Sequence, residues 1–350
     1  MKNNKKKKKH SKIIPTVLII CILLVAGFAY IFYSKLSLIQ YHDGKRSDAI
    51  SSNSEMVDSH NLFDDDIMNV LLIGTDDRTT EFSENARGDT CILLSLNKKT
   101  MGIKLIGFER AIGVPVLDEA YGGQWDWLTH TFRYGGADLM MKEIRECFDV
   151  DVDRYVRINI RSFMEAIDAI GGVDIELTEE EANHINNPKG TYGEGHIREM
   201  DVADEMMTVV PGVNHLNGAT AMFYARIRWI DSDWNRMVRR RNVIERAGEQ
   251  LKTKSLLELN KLLDKLLPLV QTNFTTSEIA SLVPLAFKYK DIHFEQMTIP
   301  EKGTYGNMIG MGGRSLFDVD FETNAQIIDD FIHDRHVVEE ENAEERNINN

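Results

Sequence analysis

The run Met68-Asn69-Val70-Leu71-Leu72-Ile73-Gly74-Thr75-Asp76-Asp77-Arg78 decides how this chain folds. Met68 to Gly74 is nearly all apolar and ends on a glycine, as a strand buried on both faces of a sheet would read. Two acids follow at once. Ligands of open α/β sheets bind outside the carboxyl ends of strands, which makes Asp76 a candidate for chemistry. A local turn in which Asp76 accepts backbone N–H groups is the plainer alternative.

Strands and helices alternate outward from this run. Thr90 to Leu96 and Ile103 to Phe108 read as strands. Ala137 to Phe148 and Ser162 to Ile170 read as helices, the second stopped by Gly171-Gly172. Val173 to Leu177 alternates as a strand. Met237 to Leu251, Leu256 to Leu267 and Thr276 to Phe287 carry helical spacing, Ile292 to Ile299 a late strand, and Asn324 to His333 a last helix. The pattern predicts an α/β domain with a mixed central β-sheet covered by helices on both faces, preceded by one N-terminal transmembrane helix.

That membrane helix is expected at residues 13–33. Ile13 to Tyr33 carries no charge over 21 residues, about 30 Å of helix and enough to span a bilayer's hydrocarbon core. Lys2 to Lys12 hold seven lysines and no acid, so residues 1–12 are expected to stay cytoplasmic as a basic tail. Phe32-Tyr33-Ser34-Lys35 is a poor cleavage site for a signal peptide. The chain is therefore expected to be a single-pass cell-membrane protein with its domain outside. A polar stalk at 34–66, a folded domain at 67–336 and an acidic disordered tail at 337–350 complete the expected organisation.

Charge narrows the partners. The 350 residues carry 41 Lys and Arg against 55 Asp and Glu. With the eight lysines of residues 1–42 set aside, 33 basic residues face all 55 acids. Such a surface argues against nucleic acid as a partner. Cys91 and Cys147 sit in apolar runs and read as buried free thiols, and no Cys/His spacing suits zinc.

Against this acidic background, clustered arginines stand out. Arg87-Gly88-Asp89-Thr90 precedes the second strand. Tyr224-Ala225-Arg226-Ile227-Arg228 places two arginines at period two, on one face if the segment is extended. Asp233, Arg236, Arg239, Arg240 and Arg241 follow; on a helix, Arg236 and Arg240 stand one turn apart. Like charges at that spacing repel, and an anion would offset them. The forked guanidinium suits phosphate oxygens. Acids beside arginines would fit a Mg²⁺–pyrophosphate. The plainer alternatives are ion pairs to Glu245 and Glu249 and an N-cap role for Asp233. Phe132, Met140, Met141, Met222 and Phe223 are candidates to line a lipid channel, with an ordinary core the favoured role.

Taken in order, these motifs resemble the LytR-CpsA-Psr family. The resemblance rests on Asn69 to Arg78, Ala86 to Thr90, Phe108-Glu109-Arg110, Leu128 to Gly136, Ala169 to Asp174, Leu216-Asn217-Gly218, and Tyr224 to Arg228 with Asp233 to Arg240. It covers about residues 67–250. It implies a phosphotransferase that takes a glycopolymer such as teichoic acid or capsule from a polyprenyl-pyrophosphate carrier and joins it to peptidoglycan by a phosphodiester. A binding or regulatory member without transfer activity, and a pyrophosphate-glycan hydrolase, are the alternatives. Partners would be the lipid-linked polymer, peptidoglycan and membrane lipid; the cofactor would be Mg²⁺ or Mn²⁺.

By the same resemblance, Asp76 and Asp89 match metal-holding acids and Asp233 an acid near the site. Arg87, Arg110, Arg226, Arg228, Arg236 and Arg239 match pyrophosphate-facing positions, with Arg240 beside them. Asp76, Asp89, Arg110 and Arg228 would be the catalytic set. Two departures stand in this chain: Glu109-Arg110-Ala111 where the family usually has Pro-Arg-Asp, and Arg240 where it usually has Gln.

Overall fold

The computed structural model describes residues 40–41, 66–77, 82–83, 86–100, 102–187, 205–227, 230, 233–275, 277–279 and 294–335. The membrane helix expected at 13–33, nearly all of the stalk, most of Thr276 to Phe287 and the acidic tail fall outside these residues. No helix among the described residues is long and apolar enough to cross a membrane.

The chain runs through β1 (Gln40–Tyr41), β2 (Ile67–Thr75), β3 (Thr90–Asn97), β4 (Ile103–Phe108), β5 (Gly113–Pro115) and β6 (Trp125–Trp127) into α1 (Leu128–Phe148). Next come β7 (Arg154–Asn159), α2 (Ile160–Ile170), β8 (Val173–Leu177), α3 (Glu179–Asn186), β9 (Gly212–Leu216), α4 (Gly218–Arg226), α5 (Asp233–Lys252) and α6 (Leu256–Leu266). Then follow β10 (Gln271–Thr272), β11 (Phe294–Ile299), β12 (Tyr305–Ile309), β13 (Ser315–Val319) and α7 (Phe321–Ile332).

Seven strands form the central sheet in the order β1-β10-β7-β2-β3-β4-β11. β2 pairs antiparallel with β3 (Leu71 opposite Leu93) and parallel with β7 (Leu71 opposite Tyr155), so the sheet is mixed. The period-two side-chain direction of a strand explains its two cores. Leu71, Ile73, Cys91, Leu93, Ile106 and Phe108 point to one face, against Phe132, Met140 and Ile144 of α1 and Ile328 and Ile332 of α7. Leu72, Ile92, Leu94 and Leu105 point to the other, against Met237 and Ile244 of α5. Helices thus cover both faces, and Cys91 and Cys147 are buried free thiols.

Two readings need correction. α1 begins at Leu128 rather than Ala137, with non-helical backbone at Gly135 and Gly136 inside it. The glycine pair looks like a start signal, but buried Leu128, Thr129, Thr131 and Phe132 pack an earlier stretch into helix. Tyr224 to Arg226 is helical rather than extended: Asn217 caps α4 by accepting the Thr220 N–H, and the helix continues to Arg226. Burial of Met222, Phe223, Tyr224 and Ala225 overrides the two-residue spacing of the arginines. β8 pairs with β9 in a separate two-stranded sheet outside the central one. The five aromatic and methionine residues are all under 9% exposed and take the favoured core role: Phe132, Met140 and Met141 pack in the core under α1, Phe223 in a cluster with Ile167, Val173, Leu216 and Val243, and Met222 with Met164 and Ala219.

Glu143 of α1 is fully buried. One carboxylate oxygen accepts the Leu117 N–H at 2.6 Å, and Oε2 has no partner among the described residues. Burial is the main cause that raises its pKa from 4.5 to about 7, with the Leu117 hydrogen bond opposing. A carboxyl raised on folding favours the native state below about pH 4.5, and that advantage is lost as pH rises to about 7. Glu143→Gln should therefore flatten the thermal-melting profile between pH 5 and 8 and raise stability at the upper end by on the order of 2–3 kcal/mol. A variant whose melting temperature still falls over that range would place the titration elsewhere.

Candidate active site

β2 ends by sending its two acids in different directions. Asp77 turns inward and is nearly buried. Its carboxylate accepts from Arg157 Nη2 at 2.7 Å, from the Thr75 hydroxyl at 2.6 Å and from the Ser83 N–H at 3.0 Å. Arg157, on the neighbouring β7, also donates to Gln271 and to the Ser83 carbonyl, and its guanidinium lies 4.8 Å from the ring centres of both Phe82 and Phe132. This buried knot ties the segment after β2 to the sheet. It belongs to the scaffold.

Asp76 turns outward. Its carboxylate receives Nε and Nη2 of Arg87 at 2.9 and 2.7 Å and the Arg87 backbone N–H at 2.8 Å. The Asp76 N–H returns a bond to the Arg87 carbonyl at 3.2 Å. Burial raises the Asp76 carboxyl, but the Arg87 hydrogen bonds and charge outweigh it and hold the group below the usual carboxylate range. The loop before β3 is thereby fixed against the end of β2. Asp89 follows two residues later at the same edge.

Asp89 faces Arg110, just past the end of β4. Asp89 Oδ1 lies 3.4 Å from Arg110 Nε without hydrogen-bond geometry. Both atoms are buried, and neither has another hydrogen-bond partner among the described residues. Such orphaned atoms are rare in native structures and mark a place where a ligand or ion belongs. The Arg110 guanidinium stacks 4.7 Å over the ring of Trp127, which is itself oriented by donating Nε1–H to the Ser315 carbonyl.

α5 brings further arginines to the same place. Arg240 donates Nη1–H to the Asp89 carbonyl at 2.9 Å. Burial pushes its guanidinium down to about 9; the charges of Arg236 and Arg226 add to this, and Asp89 and Glu109 oppose it. Arg236 is 2% exposed. Arg241 is held behind the site, where Nε donates to Gln296, and burial pushes it down to about 10 against the pull of Glu109. Gly107 makes room for it: a Cβ there would lie 2.4 Å from Arg241 Nη1. Cations that repel each other where they are desolvated attract an anion strongly.

Asp89, Arg110, Arg226, Arg236 and Arg240 therefore share one electrostatic neighbourhood, with Asp76 and Arg87 paired at its edge. Arg239 is committed differently: its Nε donates to Glu181 of α3 at 2.7 Å in a buried ion pair. Arg228 and the side chain of Asp233 lie outside the described residues. Glu249 pairs with Arg246, an arginine outside that cluster, and Glu245 accepts from Gln296. Asp77, Arg157 and Glu181 were not singled out from the sequence. Glu181 carried a readable signal, since Thr178-Glu179-Glu180-Glu181 forms a capping box at the start of α3.

No group of three or more His, Cys, Asp or Glu among the described residues converges on a metal position. Mg²⁺ is nonetheless compatible, because it commonly takes one or two carboxylates and completes its shell with phosphate oxygens and water. The unsatisfied Oδ1 of Asp89 is the best donor present. Asp76 can contribute if its bidentate partner Arg87 shifts toward a phosphate.

Comparison with known proteins places the chain in a family. The LytR_cpsA_psr family model matches residues 31–330. The polyisoprenyl-teichoic acid–peptidoglycan teichoic acid transferase TagU of Bacillus cereus is 26% identical over 268 residues, covering 75% of this chain and 78% of that protein. The structure described as TagT bound to LIIa-WTA superposes with a TM-score of 0.58 at 23% identity, over 77% of this chain and 90% of that one. A TagT (YwtF) structure with bound octaprenyl pyrophosphate lipid gives 0.54 at 21% identity, over 77% and 90%. With a family match over most of its length and a fold shared with those structures, this chain belongs to the LytR-CpsA-Psr family.

Proposed function

We propose that this protein is a phosphotransferase that moves a polyprenyl-pyrophosphate-linked anionic glycopolymer, such as teichoic acid or capsule, onto peptidoglycan through a new phosphodiester. The observation that carries the reading is the unsatisfied Asp89–Arg110 pair beside half-buried Arg240, whose charge is in turn repelled by buried Arg236. A diphosphate supplies negative charge among these arginines and an acceptor for Arg110 Nε, and leaves Asp89 Oδ1, itself an acceptor, for a cation. The naming of relatives as teichoic acid transferases, and of a TagT structure with octaprenyl pyrophosphate, supports that chemistry. The apolar run at residues 13–33 supports a membrane anchor that would hold the domain beside such a lipid.

In the proposed reaction a hydroxyl of the wall polymer attacks the sugar-side phosphorus. The new O–P bond forms as the bond to polyprenyl phosphate breaks, and that group leaves with the bonding electrons. Arg110, Arg226, Arg236 and Arg240 stabilise the charge that builds on the phosphoryl oxygens. Mg²⁺ or Mn²⁺ held by Asp89 and Asp76 would add charge neutralisation at the diphosphate. Arg239 contributes from behind, by locking α5 to α3 through Glu181.

The test is product analysis with a purified polyprenyl-pyrophosphate saccharide, with and without peptidoglycan fragments. Polymer joined to the fragment, with polyprenyl phosphate released in equal amount, is expected. Release at the same rate without acceptor would identify a hydrolase, and donor binding without release a non-catalytic carrier.

A further inference from the structure

Transfer to a wall hydroxyl requires a group that takes the proton from the attacking oxygen, so assigning that group rests on the transferase reading. Asp76 is poorly suited, since three hydrogen bonds from Arg87 already engage its carboxylate. A carboxylate serving a cation is a weak base as well. A different constellation stands beside the site, on β6 and the first turns of α1.

Asp126 is fully buried. Its Oδ1 accepts the Trp127 N–H at 2.8 Å, and its Oδ2 accepts from the Tyr134 hydroxyl at 2.5 Å and Arg314 Nη1 at 3.3 Å. His130 Nδ1 lies 3.1 Å from the same Oδ2. Burial raises the Asp126 carboxyl, but Tyr134, His130 and Trp127 outweigh it and hold it below the usual range. An ionised carboxylate can only accept, so Nδ1 carries the proton and donates it. On a neutral ring, Nε2 is then the lone-pair atom. Nε2 makes no hydrogen bond among the described residues.

The groups around the ring favour neutrality. Burial lowers the His130 pKa below its ordinary value, Asp126 opposes this, and the charges of Arg314 and Arg110 lower it further. Tyr134, on the same helix, is pushed up to about 12 by burial and Asp126 and stays protonated.

His130 also borders the proposed diphosphate site. The Gly88 N–H donates to the Thr129 carbonyl at 3.3 Å, joining the first turn of α1 to the residue before Asp89. The Thr129 hydroxyl donates to the Arg110 carbonyl at 3.4 Å. Trp127 bridges the two groups: Arg110 lies 4.7 Å from its ring centre, and the His130 ring centre is also 4.7 Å away. The chain of contacts therefore runs Asp89, Arg110, Trp127, His130, Asp126.

We propose that His130 is the catalytic proton acceptor for the attacking hydroxyl, and that Asp126 is the positioning residue that fixes its tautomer and ring plane. As the hydroxyl oxygen bonds to phosphorus, its proton passes to Nε2. The bond to polyprenyl phosphate breaks, and that group carries away the electron pair. Nε2 then returns the proton to solvent or to the departing phosphate. Acid–base partners of this kind contribute about 10²–10⁴-fold.

The experiment uses the full chain in detergent with a polyprenyl-pyrophosphate saccharide and a peptidoglycan fragment. His130→Gln should lower kcat by about 10²–10³-fold while the KM for the donor is unchanged. The kcat/KM of the unaltered protein should rise with pH on a limb centred below the ordinary histidine range, and that limb should vanish in His130→Gln. Asp126→Asn should also lose kcat, because an amide no longer enforces a protonated Nδ1. His130→Gln turning over normally with the acid limb intact would overturn the assignment while leaving the transferase reading untouched. Failure of the unaltered protein to transfer would instead sink the transferase reading. Should His130→Gln fail to fold, as judged by its melting curve, the pH profile of the unaltered protein decides: a profile without that limb overturns the proposal.

Discussion

Arg110→Ala is expected to lower transfer from a polyprenyl-pyrophosphate donor on the order of 10³-fold, as a loss of kcat rather than a rise in KM. Arg110 sits where β4 ends, facing Asp89 with a buried Nε that no acceptor among the described residues satisfies. A guanidinium so placed is poised for charge that appears on a ligand. Removing it takes away transition-state stabilisation and leaves Arg236 and Arg240 to bind the ground state. Arg110→Lys should recover only part of the loss, because an ammonium keeps the charge but not the fork or the stack on Trp127. Asp89→Ala should be as damaging, and the double variant little worse than either, since residues acting as one unit are not additive. Single-turnover kinetics on the four proteins checks this. A pure KM effect in Arg110→Ala would recast the residue as a simple binding group.

Asp77→Ala should destabilise the fold by about 3–5 kcal/mol, the largest stability effect anticipated at this edge of the sheet. The change strands the buried guanidinium of Arg157, which is ion-paired to the Asp77 carboxylate at 2.7 Å. Burial already disfavours the charged form of Arg157, with Asp77 the principal compensation. The pair is not therefore a large net asset. Replacing both members with apolar residues of similar size should recover much of the loss, because desolvation of the two ions nearly cancels their attraction. Urea unfolding of both single variants and the double variant separates these terms. A near-neutral Asp77→Ala would mean that Arg157 is held by Phe82, Phe132, Gln271 and Ser83 without need of the acid.

How much of the fold and site was legible in the sequence depends on the range of the interaction. β2 and β4 read clearly because each is buried on both faces and so nearly continuous in apolar residues. α2 read clearly because its end is written locally, in a Gly171 with φ of 96°. α1 did not, because Leu128 to Tyr134 becomes helix through packing that the glycine pair conceals. The arginines at 226 and 228 suggested extended chain, yet the Asn217 cap and four buried side chains make helix through Arg226. Asp76 and Asp77 are adjacent and alike in sequence. Their opposite fates are set by Arg87, 11 residues away, and Arg157, 80 residues away. The commitment of Arg239 to Glu181 spans 58 residues. Pairings at that distance leave no local spacing to read. The Asp126–His130 pair, four residues apart, was available to inspection, but its burial was not.

The proposed chemistry stands or falls on a diphosphate seated among Arg110, Arg226, Arg236 and Arg240 beside Asp89. A crystal structure of the protein with a polyprenyl pyrophosphate and Mg²⁺ tests this most directly. Phosphate oxygens are expected within hydrogen-bond distance of Arg110 Nε and of at least one arginine of α5, with Asp89 Oδ1 on the metal. A diphosphate bound elsewhere, with the Asp89–Arg110 pair still closed on itself, would contradict it.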